Sequence, residues 1–508
     1  MKRLGPLTRR WAVVFATIVL CAAALPGANW TAAPIDPTVV SGGYALVRVA
    51  RGAAVSVANA ARAAGATDVA ALDAIDMVTA VVTPDALRAM RFDARVKFIG
   101  ADTVVRAADK DGEFETDDDK NGGKKDRKTS AGIAAIDVPD AWRESTGKGI
   151  TVALMDTGVA RHPDLDGSVV ARLDFVNDGA TSLDPGGHGT FMAGLIAAHG
   201  KTFKGVAPDA KIVSLRVLDA KGIGTMHSVL AGFDWLLHNR AAYGIRVLNL
   251  SFGAPQAASY HNELLAGVVE SAHFAGVAVV AAAGNGGPKP GSLSLPGADP
   301  FVLTVGSFDD KGSTDKDKYK ESTFSGRGPT RDGFAKPDVL APGEHVLSLR
   351  VPGTALDRGA KPGDSSAYAR LTGTSASSAM VAGVAALVLQ AHRSYTPTQV
   401  KGAITAGSRK INGSKTPIAD AERSLDTRPA RANAGVAPSA VLMAFLKHNG
   451  LLLADGVSWE GISWEGVSWE SVSWESVSWE SVTWESVTWE SVTWETVAWE
   501  TVSWDALR

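Results

Sequence analysis

The chain has 508 residues, of which 45% are hydrophobic and 53 are glycine, and its formal net charge at pH 7 is −3. This length predicts more than one folded domain together with non-globular ends, and the composition is typical of a globular protein rather than a disordered one. So small a net charge excludes a strong field of either sign, and we therefore expect no nucleic acid as a partner.

Residues 1–33 have the pattern of a secretory signal peptide. Basic residues stand near the start, an uncharged apolar run covers residues 11–25, and small residues follow it. A membrane anchor is the alternative, but the run is short for a helix that spans a bilayer and no second stretch of that length follows. We expect a cleaved signal and a secreted protein.

Cys21 is the only cysteine and lies in this apolar run. A lipoprotein signal is the alternative there, but Leu20 is bulky where such a signal has a small residue. A mature chain without thiols would have neither disulfides nor cysteine chemistry.

Residues 34–108 predict a small α+β domain. Tyr44–Val49 alternates like a strand, an alanine-rich helical stretch follows, and Met77–Val82 is again strand-like. Pro84 opens a second helix, as proline does in a first helical turn, and a last strand follows at residues 96–99.

Residues 109–130 predict an exposed linker, because Asp, Glu, Lys and Gly dominate them and apolar residues for a core are missing. A run of this kind is often only solvated chain. The sharper interpretation is that a pro-segment is cut from a mature enzyme here.

Residues 131–425 predict an α/β domain in which a mainly parallel sheet lies between helices. Its strands are near-continuous apolar runs, as in strands covered on both faces, and helical patterns separate them. The clearest strands are Gly149–Met155, Ile212–Val217, Val247–Leu250 and Val277–Ala282. Active groups collect at the carboxyl ends of such strands, where Asp156 and Asn285 stand.

Residues 426–455 read as a linker, and residues 456–508 repeat a five-residue unit with ten tryptophans in register from Trp459 to Trp504. Exposed tryptophan is unfavourable in water, so one interpretation is contact with a cell-wall polymer, another surface or the repeat itself. The other is a low-complexity appendage with no specific ligand. The two stay open.

A serine hydrolase needs a general base and a group that orients this base. Two side chains suit these roles. Asp156 follows a predicted buried strand at a sharp turn, and His188 stands between glycines at a predicted helix start. Each has a simpler interpretation by itself: Asp156 as a turn cap, and His188 as a surface residue or metal ligand. No second histidine stands at a metal-ligand spacing from His188 such as His-x-x-x-His.

Two more side chains suit the nucleophile and the stabilisation of an oxyanion. Ser375 precedes an apolar helix, whose free N–H groups and positive dipole end favour an oxyanion. Asn285 ends a predicted strand, and its amide can donate to the same oxyanion. Taken singly, Ser375 could be a helix cap and Asn285 a turn residue.

Together these motifs resemble the subtilisin-like serine protease (subtilase) family. Asp-Thr-Gly, His-Gly-Thr and Gly-Thr-Ser occur in the family's order, with an Asn donor between the last two. Further matching segments cover residues 162–165, 205–208, 251–253, 324–329 and 336–343.

The resemblance implies a three-layer subtilisin-like fold, preceded by a pro-domain and followed by the repeat tail. It implies that Ser375 attacks the carbonyl, His188 acts as general base and then acid, and Asp156 orients His188. Asn285 would share the oxyanion with the Ser375 N–H.

The same resemblance implies the substrate and ligand contacts. The substrate would add as a strand along Ser251, Phe252 and Gly253, and residues 34–108 would inhibit the enzyme until they are cut away. Catalysis would need no cofactor. A structural calcium ion is implied, but Asp315, Asp317 and Glu321 form only a weak ligand pattern and we assign no metal residues.

Four positions depart from the family pattern. Phe191 stands where a second histidine is common, and Ala376, Ala379 and Met380 replace the usual Met, Pro and His. None is a catalytic side chain, so we expect them to affect rate and selectivity rather than the reaction.

The predicted function is that of a secreted serine endopeptidase that acts on proteins or peptides through an acyl-enzyme and is made as a self-processed zymogen. Retention at the cell surface through the repeat tail is an extension of this prediction. The alternative is a catalytically silent surface-binding protein that uses the tail.

Overall fold

The computed structural model describes residues 32–109, 115–116, 131–256, 258–357, 367–430 and 432–442. Residues 1–31 of the predicted signal peptide, most of the charged linker and the repeat tail lie outside these residues. The described residues form two compact units, the smaller within residues 1–71 and 76–101 and the larger within residues 72–75 and 102–508.

The smaller unit is a four-stranded sheet with two helices. Its elements are β1 (Tyr44–Val49), α1 (Ala54–Ala63), β2 (Thr67–Leu72), β3 (Met77–Val81), α2 (Pro84–Arg91) and β4 (Val96–Ala101). The strand order is β2-β3-β1-β4, and β1 pairs antiparallel with both β3 and β4. Helix α2 begins at Pro84, where the Thr83 side chain accepts from the Ala86 N–H. Its role as a pro-domain stays a prediction.

The larger unit contains all further strands and helices of the described residues. The strands are β5 (Val104–Ala107), β6 (Glu115–Thr116), β7 (Thr151–Asp156), β8 (Val169–Asp174), β9 (Lys211–Arg216), β10 (Ile223–Thr225), β11 (Ile245–Leu250), β12 (Phe252–Pro255), β13 (Ala278–Ala282), β14 (Ser294–Leu295), β15 (Leu303–Asp309), β16 (Lys320–Glu321), β17 (Val339–Pro342), β18 (Val346–Leu349) and β19 (Tyr368–Leu371). The helices are α3 (Ala131–Ala135), α4 (Val138–Ala141), α5 (His188–Ala197), α6 (Met226–Asn239), α7 (Leu264–Phe274), α8 (Thr374–Ala391), α9 (Pro397–Gly407) and α10 (Ala421–Asp426).

An eight-stranded sheet forms the centre of the larger unit. Its order is β16-β15-β13-β11-β7-β9-β8, with β17 also beside β15, and every pairing is parallel except that of β16. The central strands β7 and β13 are buried along their whole length, which explains their near-continuous apolar sequences. The predicted fold class, a mainly parallel sheet with helices packed on it, is confirmed.

Helix α8 packs against the central strands and is the longest described helix. It is also the one described helix that is long and apolar enough to cross a membrane, yet 89% of that stretch is buried inside the protein. Its apolar sequence therefore belongs to a core helix.

Two small sheets accompany the central one. The first has the order β10-β5-β12-β14, and the second has the order β18-β19-β6. In the first, residues 104–107 lie between β10 and β12, so the last residues of the predicted pro-domain belong to the larger unit.

Candidate active site

The carboxyl end of β7 positions Asp156. This strand lies in the middle of the parallel sheet, and the chain turns directly after it at Gly158, whose φ is +113°. The Oδ1 atom of Asp156 accepts the Thr157 N–H at 2.7 Å and lies 2.6 Å from Nδ1 of His188. The carboxylate therefore holds the imidazole with Nδ1 as the donor.

His188 is the first residue of α5 and its side chain is only 4% exposed. The glycines beside it are required by the close approach of two backbone segments. A Cβ on Gly189 would lie 1.9 Å from the carbonyl oxygen of Gly158, and Gly187 has a φ of +85°. The Gly-His-Gly motif thus brings the helix start against the turn after Asp156.

Asp184 is a site residue that the sequence analysis missed. It is fully buried and its carboxylate accepts four hydrogen bonds, from Thr157 Oγ1, Gly187 N, Thr190 N and Thr190 Oγ1. Burial raises its pKa, although the four donors act in the opposite direction. The sequence does contain one signal for Asp184, because it is an acid four residues before His188, at the amino end of a helix.

Ser375 is the second residue of α8 and is fully buried. Its Oγ donates to the carbonyl oxygen of Ser251 at 3.0 Å. Its N–H donates to the carbonyl oxygen of Ala108 at 3.3 Å. The next residue, Asp109, has its Oδ1 atom 3.0 Å from Nε2 of His188. Ala108 therefore contacts Ser375, and the residue directly after it contacts His188.

Asn285 completes the surroundings of the Ala108 carbonyl. Its Nδ2 donates to that oxygen at 2.7 Å, while its Oδ1 accepts the N–H and the hydroxyl of Thr374 at 3.1 and 2.9 Å. These two bonds fix which end of the amide faces Ala108. Two donors on one carbonyl oxygen, from Asn285 and Ser375, are the arrangement that stabilises a developing oxyanion.

The segment before Ala108 lies in the site as an added strand. Strand β5 pairs antiparallel with β12, Ala107 opposite Phe252 and Arg106 opposite Gly253, and the Ala108 N–H donates to the Ser251 carbonyl at 2.9 Å. On its other side β5 pairs antiparallel with β10. Residues 251–253, which the sequence predicts to pair with substrate, thus have their backbone beside an extended peptide segment of the chain itself.

Electrostatics at the site centre on His188. Burial disfavours the charged imidazolium, but the carboxylates of Asp109 and Asp156 outweigh it and hold the pKa of His188 well above its ordinary value. An imidazolium between two carboxylates is the charge state that this geometry stabilises.

The four departures from the family pattern lie in the interior. Phe191, Ala376, Ala379 and Met380 are all buried within the main hydrophobic cluster of the larger unit. They act on the packing of α5 and α8, which carry His188 and Ser375.

Two of the three residues in the weak calcium pattern are paired with basic side chains. Asp315 pairs with Lys318 at 3.2 Å, and Glu321 pairs with Arg327 at 2.9 Å and accepts the Ser414 hydroxyl at 2.7 Å. Among the described residues, one close group of three His, Cys, Asp or Glu side chains occurs, Asp73, Asp234 and His238. It includes an imidazole, whereas Ca²⁺ takes oxygen ligands.

The site combines the parts that a serine hydrolase acting on peptides needs: an Asp–His pair, a serine at a helix start, two donors on one carbonyl oxygen and a strand-pairing groove. The profile of the Subtilase family matches residues 147–424, which is more than half of the chain. The chain belongs to the subtilase family of subtilisin-like serine endopeptidases.

Known relatives agree with this membership. Serine protease AprX of Bacillus subtilis (strain 168) is 38% identical over 276 residues, which are 52% of this chain and 62% of AprX. Subtilisin Savinase of Lederbergia lenta is 36% identical over 291 residues, which are 56% of this chain and 94% of Savinase. The chain thus spans less than two thirds of AprX and nearly all of Savinase.

Among solved structures, fervidolysin from Fervidobacterium pennivorans, a keratinolytic enzyme related to subtilisin, superimposes with a TM-score of 0.62. The match covers 81% of this chain and 65% of fervidolysin at 24% identity, so it bears on the fold alone.

Proposed function

We propose that this chain is a secreted serine endopeptidase that hydrolyses proteins or peptides and is made as a zymogen that cuts itself. The observation that carries the proposal is the position of the Ala108 carbonyl oxygen, 2.7 Å from Asn285 Nδ2 and 3.3 Å from Ser375 N. A peptide carbonyl held by two donors next to a serine and a histidine is placed as a substrate is.

The proposed reaction follows from the geometry. Ser375 Oγ attacks the carbonyl carbon while its proton passes to Nε2 of His188, and Asp156 stabilises the imidazolium. The oxyanion receives hydrogen bonds from Asn285 and the Ser375 N–H. When the C–N bond breaks, the proton moves to the leaving amine, and water then hydrolyses the acyl-enzyme on Ser375.

Self-processing at the Ala108–Asp109 bond is the zymogen part of the proposal. This bond lies between the predicted pro-domain, residues 34–108, and the predicted linker, residues 109–130. The backbone of residues 106–108 is paired with β12 and with Ser251, which supports cleavage directly after Ala108. Residues 34–108 then act as an intramolecular inhibitor before release.

Ser375→Ala tests the proposal, and Ser394→Ala is the matched control because Ser394 is exposed. We expect the control to hydrolyse casein and to yield a chain that begins at Asp109, read by intact mass and N-terminal sequencing. The Ser375→Ala chain should keep residues 34–108 and leave casein intact, and a serine-directed phosphonate should label only the control. Casein hydrolysis and processing that persist in Ser375→Ala would overturn the proposal.

Secretion and surface retention rest on the sequence patterns of residues 1–33 and 456–508. Deletion of residues 456–508 tests the second. Retention on intact cells should fall while casein hydrolysis stays unchanged, and unchanged retention would contradict a binding role for the tail.

A further inference from the structure

The Asp109 side chain occupies the position on His188 that the serine proton must reach. Nε2 of His188 lies 3.0 Å from Asp109 Oδ1, and Nδ1 lies 2.6 Å from Asp156 Oδ1. Among the described residues, the Ser375 hydroxyl donates to the Ser251 carbonyl at 3.0 Å rather than to His188. The base and the nucleophile are therefore each engaged elsewhere.

The charges around His188 favour its protonated form. Asp156 faces it from the end of β7, and Asp109 faces it from the segment after β5. Asp184, whose pKa burial raises, binds the first turn of α5, and Lys221 lines the same pocket of about 270 Å³ as Asp109 and His188. Although burial opposes the charge on His188, the two facing carboxylates raise its pKa well above the ordinary value.

A protonated Nε2 blocks the reaction at a definite step. Ser375 Oγ must lose its proton to Nε2 as it bonds to the Ala108 carbonyl carbon, and the same proton must reach the Asp109 nitrogen as the C–N bond breaks. The Asp109 carboxylate competes with both proton transfers, because it accepts a hydrogen bond from the protonated Nε2. Because Arg106 and Ala107 are paired with neighbouring strands and the Ala108 N–H donates to Ser251, the competition acts on the chemical step and not on binding.

We propose that the Asp109 carboxylate restrains the protease's cleavage of its own Ala108–Asp109 bond by holding the Nε2 side of His188. For specificity, it follows that a peptide with an acidic residue directly after the scissile bond is a poor substrate. This inference rests on the proposed endopeptidase function.

The first test uses Asp109→Asn in the full-length chain, with Asp166→Asn as the matched control because Asp166 is an exposed acid of the same unit. The chains are refolded from denaturant and self-cleavage is followed by intact mass across a range of pH. We expect Asp109→Asn to cut itself about tenfold faster at pH 7, because a facing carboxylate shifts a histidine equilibrium by at least that factor. Its rate should reach half of its maximum at a lower pH, whereas Asp166→Asn should follow the unsubstituted chain.

The second test needs no variant, so it stands even where Asp109→Asn does not refold. The processed enzyme is given the peptide Val-Val-Arg-Ala-Ala-Asp extended by neutral residues, or its Asn counterpart. We expect about tenfold lower kcat for the Asp peptide with a similar KM, and a higher pH at half-maximal kcat.

The outcomes separate this inference from the proposed function. Cleavage of both peptides with equal kcat, or equal self-cleavage of Asp109→Asn and Asp166→Asn, overturns the restraint and leaves the endopeptidase intact. If neither peptide is cleaved and no chain cuts itself, the proposed function is overturned, and the restraint fails with it.

Discussion

Replacement of Asp184 by asparagine tests how the segments that carry Asp156 and His188 are held together. One carboxylate oxygen accepts from Thr157 Oγ1 and Gly187 N, both at 2.7 Å, and the other accepts from Thr190 N and Oγ1 at 2.8 and 2.6 Å. Asparagine keeps the shape, but its NH₂ group cannot accept, so two of the four bonds are lost whichever way the amide turns.

The size of the effect follows from burial. A buried donor left without an acceptor costs about 1–3 kcal/mol, and each oxygen of Asp184 faces one backbone N–H that cannot turn away. The hydroxyl partner on each side can rotate, so we expect a loss of about 2 kcal/mol in the free energy of unfolding. Because Gly187 adjoins His188, kcat should fall by about 10- to 100-fold through displacement of the imidazole.

Two assays measure these effects. Urea unfolding is run in the Ser375→Ala background, which removes self-digestion, and kcat and KM are measured in the active chain with a short peptide. Asp209→Asn, a change at an exposed acid, is the control. The reasoning is refuted when Asp184→Asn and Asp209→Asn have the same urea midpoint and the same kcat.

Two further substitutions test the oxyanion site and a buried acid. Asn285→Ala should lower kcat about 10²- to 10³-fold in steady-state kinetics, the magnitude known for such a donor in subtilisin itself; an unchanged kcat would show that the Ser375 N–H suffices. Burial raises the pKa of Glu270 to about 9, so the folded chain retains a proton that the unfolded chain releases and stability must fall as pH rises towards 9. Urea unfolding of the Ser375→Ala chain should lose about 1 kcal/mol per pH unit between pH 7 and 9, and Glu270→Gln should remove this slope; equal slopes would contradict the assignment.

The sequence predicted what depends on local pattern and on motif order. Strand β7 ends at Asp156, close to the predicted end of the apolar run, and Asn285 is the third residue after β13. Parallel strands end at one edge of the sheet, so these two side chains could be assigned to one site before any distance was known. His188 at a helix start is of the same kind, because glycine on both sides is a local signal.

The two acids that the sequence analysis did not assign depend on distant contacts. Asp109 and His188 are 79 residues apart, and nothing in a charged run distinguishes the one carboxylate that faces a histidine from its solvated neighbours. The pairing of β5 with β10 and β12 is equally non-local, since residues 104–107 are too short a run to indicate a partner. Asp184 had a local signal, since it precedes His188 by four residues, but its bond from Thr157, 27 residues away, could not be read from the sequence.

Strand β5 also predicts which substrate side chains matter. Alternate residues of a strand face opposite sides, and here Val105 is fully buried whereas Val104 is 47% exposed. Burial of a valine side chain contributes roughly 1.5 kcal/mol or more. In the test peptide that contains Val-Val-Arg-Ala-Ala, serine at the position of Val105 should therefore lower kcat/KM about tenfold. Serine at the position of Val104 should leave kcat/KM nearly unchanged. Equal losses at both positions would mean that the peptide binds in a register other than that of residues 104–108.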